Sequence, residues 1–337
     1  MPNWVAPQLT KLVENAPEAE DWAHEIKRDG YRMHARIAAG TVLLLTRTGL
    51  DWTNKYTLTA AALKQLPVRE AYIDGELCAV GANGVTSFSL LQAASDNRTT
   101  AALVYFAFDL LYVDGRNLMT ASLIERKRRL RSLLPKTGRA IWFADHQLGK
   151  GPLFYQQACR MKLEGIVSKR IDAPYKPGDR GLWVKTKCLN REEFVIVGWT
   201  DPEGSRPRIG ALLLAYYDPD GRLTYAGRAG TGMSGDELER VWRRLQPIAT
   251  RAMPLEVPPP RTSRFGSPLV LSRVHWVRPK LVVEVNYLSW TQDNLLRQVV
   301  YLGLREDKPA RQVQRSVPFT NTASVAVARK PGTRSKA

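Results

Sequence analysis

The sequence predicts an α+β domain with antiparallel sheets, followed by a small β-barrel domain. Three observations carry that expectation. Hydrophobic residues make up 44% of 337 positions, enough to fill two packed cores, and no repeat period points to a solenoid. Strand and helix patterns alternate from about residue 20 to 188, and the texture changes to short β runs after Asn190, Arg191 and Glu192.

Taken in order, HARIAAGTVLLLTRTG reads as a hairpin turning at Ala39 and Gly40, with AYIDGELCAV and ALVYFAFDLLYVDG as further strands. Ser122 followed by Glu125 predicts a capping box for a helix through Leu134, and LFYQQACRMKL reads as a second helix before the strand GIVSKR. Past the change of texture come FVIVGW, ALLLAYY and RLTYAG, then a helix capped by Ser234 with Glu237 three residues on, and the strand KLVVEVNYLSW. A five-stranded barrel of the OB type, an architecture that often binds nucleic acid, fits this pattern. The Pro-rich stretch 254–268 reads as a long surface loop, and the small, polar, basic tail 317–337 as disordered. The expected domains are therefore 1–188 and 189–316.

Fifty Lys and Arg against thirty-two Asp and Glu leave a net charge of +18, which draws in a polyanion and makes nucleic acid the natural partner. No apolar run is long enough to span a bilayer and the N-terminus lacks a signal-peptide pattern, so a cytoplasmic protein without a membrane partner is expected. Cys78, Cys159 and Cys188 are too widely spaced for a CxxC metal clip or a disulfide framework, and ordinary thiols are expected.

The chemistry is concentrated in charged residues at strand edges. In EIKRDGYR, Lys27 is flanked by Glu25 and Asp29 at alternate positions, which an extended chain would project to one side. Neighbouring carboxylates raise a lysine's pKa, so alone they describe a solvated charged face. WVKTK places Lys185 and Lys187 on one strand face, where like charge depresses the pKa of a nearby amine and neutralises phosphate; Arg32 and Arg47 add fixed cations. Glu76 and Glu164 border apolar strand runs, as turn residues or as ligands of a Mg²⁺ that bridges phosphate oxygens. Phe108 is either core or a face on which adenine stacks.

Together these segments resemble the covalent nucleotidyltransferases: DNA ligases, RNA ligases and capping enzymes. KRDG at 27–30 is similar to the nucleophile motif KxDG, and TRTG, DGE, FDLL, EGIVSK and WVKTK follow it, ending at residue 187, in the order of the later motifs. Within that superfamily the closest likeness is to the ligase module of the bacterial ligase D group, ATP-dependent enzymes of non-homologous end joining. It extends from about residue 4 to 314 through APQLTKLVENAPEAEDWAHEIKRDGYR, FDLLYVDG, KPGDRGLWVKTKC, REEFVIVGWT, VRPKLVVEV and GLREDKPA. The chain has no room for the polymerase and phosphoesterase modules of many such proteins, so a stand-alone ligase or an excised module is expected.

The resemblance implies an adenylation (nucleotidyltransferase) domain followed by an OB-fold barrel, with ATP and Mg²⁺ or Mn²⁺ as cofactors and AMP carried covalently on Lys27. It implies that Glu25 reads the adenine amino group, that Arg32 and Glu76 contact the ribose region and that Phe108 stacks on adenine. Arg47, Lys185 and Lys187 would hold phosphates, Glu164 and Glu76 would bind metal, and Arg305, Asp307 and Lys308 of GLREDKP would serve the first step. The implied partners are DNA with nicks or double-strand ends, and Ku; a nucleoid-associated monomer is expected. One departure stands out: RQVVYL replaces the family's histidine, proline and phenylalanine before GLRED, with Tyr301 as the candidate aromatic substitute. An RNA ligase, a capping guanylyltransferase and a non-catalytic DNA-binding scaffold are the competing readings.

Overall fold

The structure is a computed structural model that describes residues 1–315 except 83, 97–102, 136–139, 189, 203–206, 261–268 and 292. The expected disordered tail and much of the Pro-rich loop lie outside the described residues. After β1 (Trp22–Ile26) comes the expected hairpin. Its strands β2 (Tyr31–Ala38) and β3 (Thr41–Thr46) turn at Ala39 and Gly40, whose φ values of +48° and +75° suit a tight hairpin turn. β4 (Glu70–Ala79) and β5 (Leu103–Val113) extend this sheet in the order β3-β2-β4-β5, all antiparallel. Its apolar face packs under the helices α1 (Thr57–Lys64), α2 (Phe88–Asp96) and α3 (Leu123–Leu133), around Met33, Leu44, Ile73, Leu91 and Leu130.

A second sheet joins β1 to β6 (Gly165–Arg170) and β7 (Trp183–Lys187), again antiparallel, with the short strand Lys11–Leu12 parallel to β7. Tyr72 and Leu111 of the first sheet pack with Trp183 of the second, so the two sheets meet face to face around Tyr175 and Phe108. Helix α4 (Gly151–Arg160) covers β6, where Ala158 meets Ile166.

Two local expectations are corrected. Ser122 stands at the N-cap of α3 in extended conformation but its side chain accepts no capping bond; Glu125 turns instead to Arg128 and Arg129. At Ser234 the cap does form, with the Glu237 N–H donating to the hydroxyl at 3.3 Å. Cys159 and Cys188 are not ordinary thiols but a disulfide: α4's last turn brings the first within a Cα separation of 5.1 Å of the residue that follows β7. Spacing along the chain hides that proximity, since 29 residues separate them. Cys78 is a free, buried cysteine.

The C-terminal region is one seven-stranded sheet built on β8 (Arg191–Thr200), β9 (Leu212–Tyr217), β10 (Leu223–Ala229), β11 (Val274–Val277), β12 (Val282–Asn286) and β13 (Val300–Leu304), with Ala249–Thr250 added to β11. The count exceeds the five strands expected because β8 changes partner along its length. Its first half pairs with β12 and its second half with β11, the change falling beside a bulge between Ile196 and Gly198. Helix α5 (Gly235–Leu245) plugs one end through Leu238, Val241 and Leu245. No helix among the described residues is long and apolar enough to cross a membrane.

Candidate active site

Lys27 follows β1 directly, where the chain leaves the strand and its backbone N–H donates to the Gly165 carbonyl at 2.9 Å. Gly165 permits this crossing: its φ is +153°, and a Cβ there would collide with the Thr186 carbonyl. The Lys27 ammonium lies 2.6 Å from a Glu164 carboxylate oxygen and is about a quarter exposed, at 24%. Burial works to lower its pKa, but Glu164 and then Glu76 outweigh burial and hold the ammonium above the ordinary lysine range. Glu25, Lys27 and Asp29 do not share one partner set, as a continuous strand would have it. Glu25 faces two lysines, Lys27 faces Glu164, and Asp29 faces Arg191.

Around Lys27 lie charged groups without counter-ions. Lys185 makes no ion pair or side-chain hydrogen bond among the described residues, and burial, Lys187 and Lys27 push its pKa down to about 7. Arg47 is likewise unpaired among the described residues; burial draws its pKa down, with only distant help from Glu193 and Asp307. Glu76, opposite Arg32 in the β2–β4 register, has no hydrogen-bond partner for its carboxyl among the described residues, and burial pushes its pKa up to about 8. Two cations and one carboxyl thus stand part-buried without partners among the described residues, an arrangement that becomes favourable when a polyanion and its counter-ion enter.

Phe108 and Trp183 meet edge to face at a centroid distance of 6.0 Å, and the Lys169 ammonium lies 4.2 Å from each ring. Arg32 is 5.4 Å from both rings, held by a bidentate pair with Asp74 at 3.0 and 2.6 Å and by the Gln8 carbonyl. Glu25 receives Lys127 on one carboxylate oxygen at 2.7 Å and Lys169 on the other at 2.8 Å. Sequence reasoning misses Asp74, Lys127 and Lys169. Asp74 is visible in the DGE motif, and Lys169 ends EGIVSK; Lys127 is one basic residue among several in ERKRRLR and carries no signal of its own.

The C-terminal sheet closes over this site. Arg191 bridges the two regions, with Asp29 at 2.6 Å on one side and Glu284 at 2.9 Å on the other. Arg305 pairs bidentately with Asp307 at 2.9 and 2.8 Å, reaches Glu284 at 3.2 Å and lies 4.6 Å over the Phe88 ring. Lys308 pairs with Glu193. Gln92 of α2 donates to the Leu304 carbonyl at 2.7 Å, and Gly303 leaves the room that this approach requires. Lys187 donates to the Arg191 carbonyl at 2.5 Å and lies 3.7 Å from Glu192, at the junction between the regions. Tyr301 is no part of the contact. It is buried in the barrel core and bonds to Glu237, and the contacts between the regions are made instead by Arg191 with Asp29, Gln92 with the Leu304 carbonyl and Arg305 over Phe88.

An amine near cations that lack counter-ions among the described residues, with aromatic rings and a buried carboxylate alongside and a second domain above, suits covalent nucleotidyl transfer. The family model for the ATP-dependent DNA ligase domain matches residues 5–187, and that for the ATP-dependent DNA ligase C-terminal region matches residues 205–308. A multifunctional non-homologous end joining protein LigD of Pseudomonas aeruginosa is 42% identical over 291 residues, which covers 85% of this chain and 34% of that protein. The LigD of Mycolicibacterium smegmatis is 37% identical over 273 residues, 80% of this chain and 34% of its own length. The chain therefore spans about a third of the length of these curated relatives. Among solved structures, a mycobacterial DNA ligase D complexed with ATP and MES superposes with a TM-score of 0.67 at 34% identity, covering 93% of this chain and 99% of that one. The chain belongs to the ATP-dependent DNA ligase family.

Proposed function

We propose that this chain seals 5′-phosphate/3′-hydroxyl breaks in DNA through a lysyl-AMP intermediate, in the repair of double-strand breaks by non-homologous end joining. One observation carries the reading: Lys27 has Lys185 as a charged neighbour that makes no ion pair among the described residues, and Arg47, near Arg32 and Arg305, is a second part-buried cation without one. The relatives named for end joining support the biological setting, and the net charge of +18 supports a polyanionic substrate.

In the first step the Lys27 amine attacks the α-phosphorus of ATP; a P–N bond forms and the P–O bond to pyrophosphate breaks. Lys27 must first lose the proton that Glu164 now stabilises, so this ion pair has to loosen when the triphosphate arrives. Arg47, Lys185 and Lys187 neutralise the phosphates, Glu25 and Phe108 hold adenine, and Arg32 and Glu76 take the ribose side. Arg305, Asp307 and Lys308 complete the site while the barrel is closed. Glu76 and Glu164 would hold Mg²⁺ or Mn²⁺, which supplies further charge neutralisation at phosphate oxygens; two carboxylates with water and phosphate completing the shell suit such an ion, and no described side chain competes for Glu76 by hydrogen bonding. AMP then passes to an oxygen of the DNA 5′-phosphate as the P–N bond breaks. Finally the 3′-hydroxyl attacks that phosphate and AMP leaves. Between the first and later steps the barrel would swing about Lys187–Arg191 to exchange ATP for DNA. Ku as a recruiting partner, a monomeric state and residence at the nucleoid belong to the same proposal.

The test is a nicked duplex with a 5′-phosphate, incubated with ATP and Mg²⁺ or Mn²⁺ and resolved on a denaturing gel. Joining of the DNA strand supports the proposal. Joining confined to an RNA nick, or protein labelling by GTP alone, would move the chain to the RNA ligases or capping enzymes. Neither labelling nor joining would leave a DNA-binding scaffold.

A further inference from the structure

Lys127 belongs to none of the motif segments, yet it is among the largest fully buried side chains of the protein. An ammonium has three N–H donors, and each of them has an acceptor here: the Glu25 carboxylate at 2.7 Å, the Ala144 carbonyl at 3.0 Å and the Phe108 carbonyl at 3.4 Å. One charge thereby fixes the carboxylate that faces the base and the backbone of the ring that stacks on it. Lys169 takes the remaining Glu25 oxygen at 2.8 Å, from a position against the Phe108 and Trp183 rings.

Resting on the proposed lysyl-AMP chemistry, we infer that Lys127, with Lys169, is a positioning residue that makes the pocket select adenine over guanine. Selection would come from hydrogen-bond polarity. Adenine presents an amino donor at the position where guanine presents a carbonyl acceptor. An ionised carboxylate can only accept, so it pairs with the first and repels the second; a neutral carboxyl can donate and would serve both. Burial drives Glu25 toward its neutral form, and the two ammoniums reverse that drive and hold its pKa below the ordinary glutamate range. Removing one ammonium therefore weakens the carboxylate's exclusive preference as well as its position.

The experiment measures covalent labelling of the full chain by α-labelled ATP and by α-labelled GTP, for wild type, Lys127→Met and Lys127→Arg, and for Glu25→Gln alone and combined with Lys127→Met. Lys127→Met should raise KM for ATP by about tenfold or more with a smaller change in kcat, and should lower the ATP to GTP preference by a similar factor. Lys127→Arg, which keeps the charge, should restore much of both. In the Glu25→Gln background, where no carboxylate remains to be held ionised, Lys127→Met should change the ATP to GTP preference little. A melting curve for each variant separates loss of fold, which would lower labelling by both nucleotides alike, from loss of selection, and the Arg variant keeps the question answerable if the Met variant is unstable. The inference would be overturned by an unchanged ATP to GTP preference in Lys127→Met. It would equally be overturned if Lys127→Met lowered that preference as much in the Glu25→Gln background as in wild type. Either result would leave ATP labelling of the wild type intact, and the proposed function with it. A wild type that takes no label from ATP would overturn the proposed function, and the inference as well.

Discussion

Two charged regions face each other across the site, and they treat their charges in opposite ways. Below, on the first domain, Lys185, Arg47 and Glu76 are part-buried without partners among the described residues, and their pKa values move toward neutrality. Above, on the barrel, Arg305, Lys308 and Arg191 are each committed to carboxylates, Asp307, Glu284, Glu193 and Asp29 among them. Unsatisfied buried charge is unfavourable in itself and is retained where a ligand compensates it. Fully paired charge mainly fixes geometry: the Arg305 and Lys308 pairs hold the barrel's own loop in place, and the Arg191–Asp29 pair ties the barrel to the first domain. On the proposed chemistry the lower region receives phosphate, whereas the upper one exchanges carboxylates for phosphate before its residues serve the first step.

The difference can be broken first at the nucleophile. Lys27→Ala should abolish labelling by α-labelled ATP, and Lys27→Arg should do the same, because a guanidinium stays protonated and cannot attack. Substantial label on either variant would place the nucleophile elsewhere. At the base pocket, Phe108→Ala should weaken ATP use by about 1 to 3 kcal/mol, the range for bases stacked on aromatics. A collapse of the melting temperature without a specific effect on ATP would instead assign Phe108 to the core it shares with Trp183 and Tyr175.

A smaller effect sharpens the view of the lower region. Burial and the neighbouring Lys187 and Lys27 push the Lys185 ammonium down to about 7 from an ordinary 10.5, so near pH 8 the folded protein carries a share of it neutral. Because the unfolded chain binds the extra proton between those values, this group's contribution to stability rises as pH rises from about 7 to 10.5 and is at its least favourable below 7. An entering polyanion reverses the shift. Pyrophosphate binding at a pH of about 8 should therefore be accompanied by uptake of a fraction of a proton, seen by calorimetry in buffers of different ionisation enthalpy, and Lys185→Met should reduce it. Binding with no proton uptake would mean that phosphate does not meet this lysine.

Much of this is legible in the sequence, and the parts that are not share a cause. The β2–β3 hairpin follows from alternation and the Ala39-Gly40 turn, and the placement of Lys27, Glu164, Lys185 and Lys187 on or beside adjoining strands follows the motif order. These signals are local or recur in a fixed order along the chain. The Cys159–Cys188 disulfide, the Lys127–Glu25 pair and the Arg191 bridge join residues 29, 102 and 162 positions apart; Glu25 and Asp29 are marked by Lys27 between them, but nothing nearby in sequence marks whom they pair with. The capping box at Ser122 shows the converse: the local signal is present in sequence, yet Ser122 accepts no capping bond and Glu125 is taken by two arginines one turn away. The barrel's strand count is hidden because one long strand serves two partners, a property of its bulge rather than of its composition.

The division between the two regions is tested most directly by Arg305→Ala on two substrates: an ordinary nick supplied with ATP, and a nick whose 5′ end already carries AMP. Its melting curve should be recorded alongside, since Asp307, Glu284 and Glu193 lose a shared partner. The variant should lose about a hundredfold or more in labelling and in sealing of the ordinary nick, yet seal the pre-adenylylated nick within a few-fold of wild type, because that last step needs neither ATP nor pyrophosphate departure. Equal loss on both substrates, with the fold intact, would mean that Arg305 serves DNA binding or the barrel as a whole, and would contradict the assignment of the upper region to the first step alone.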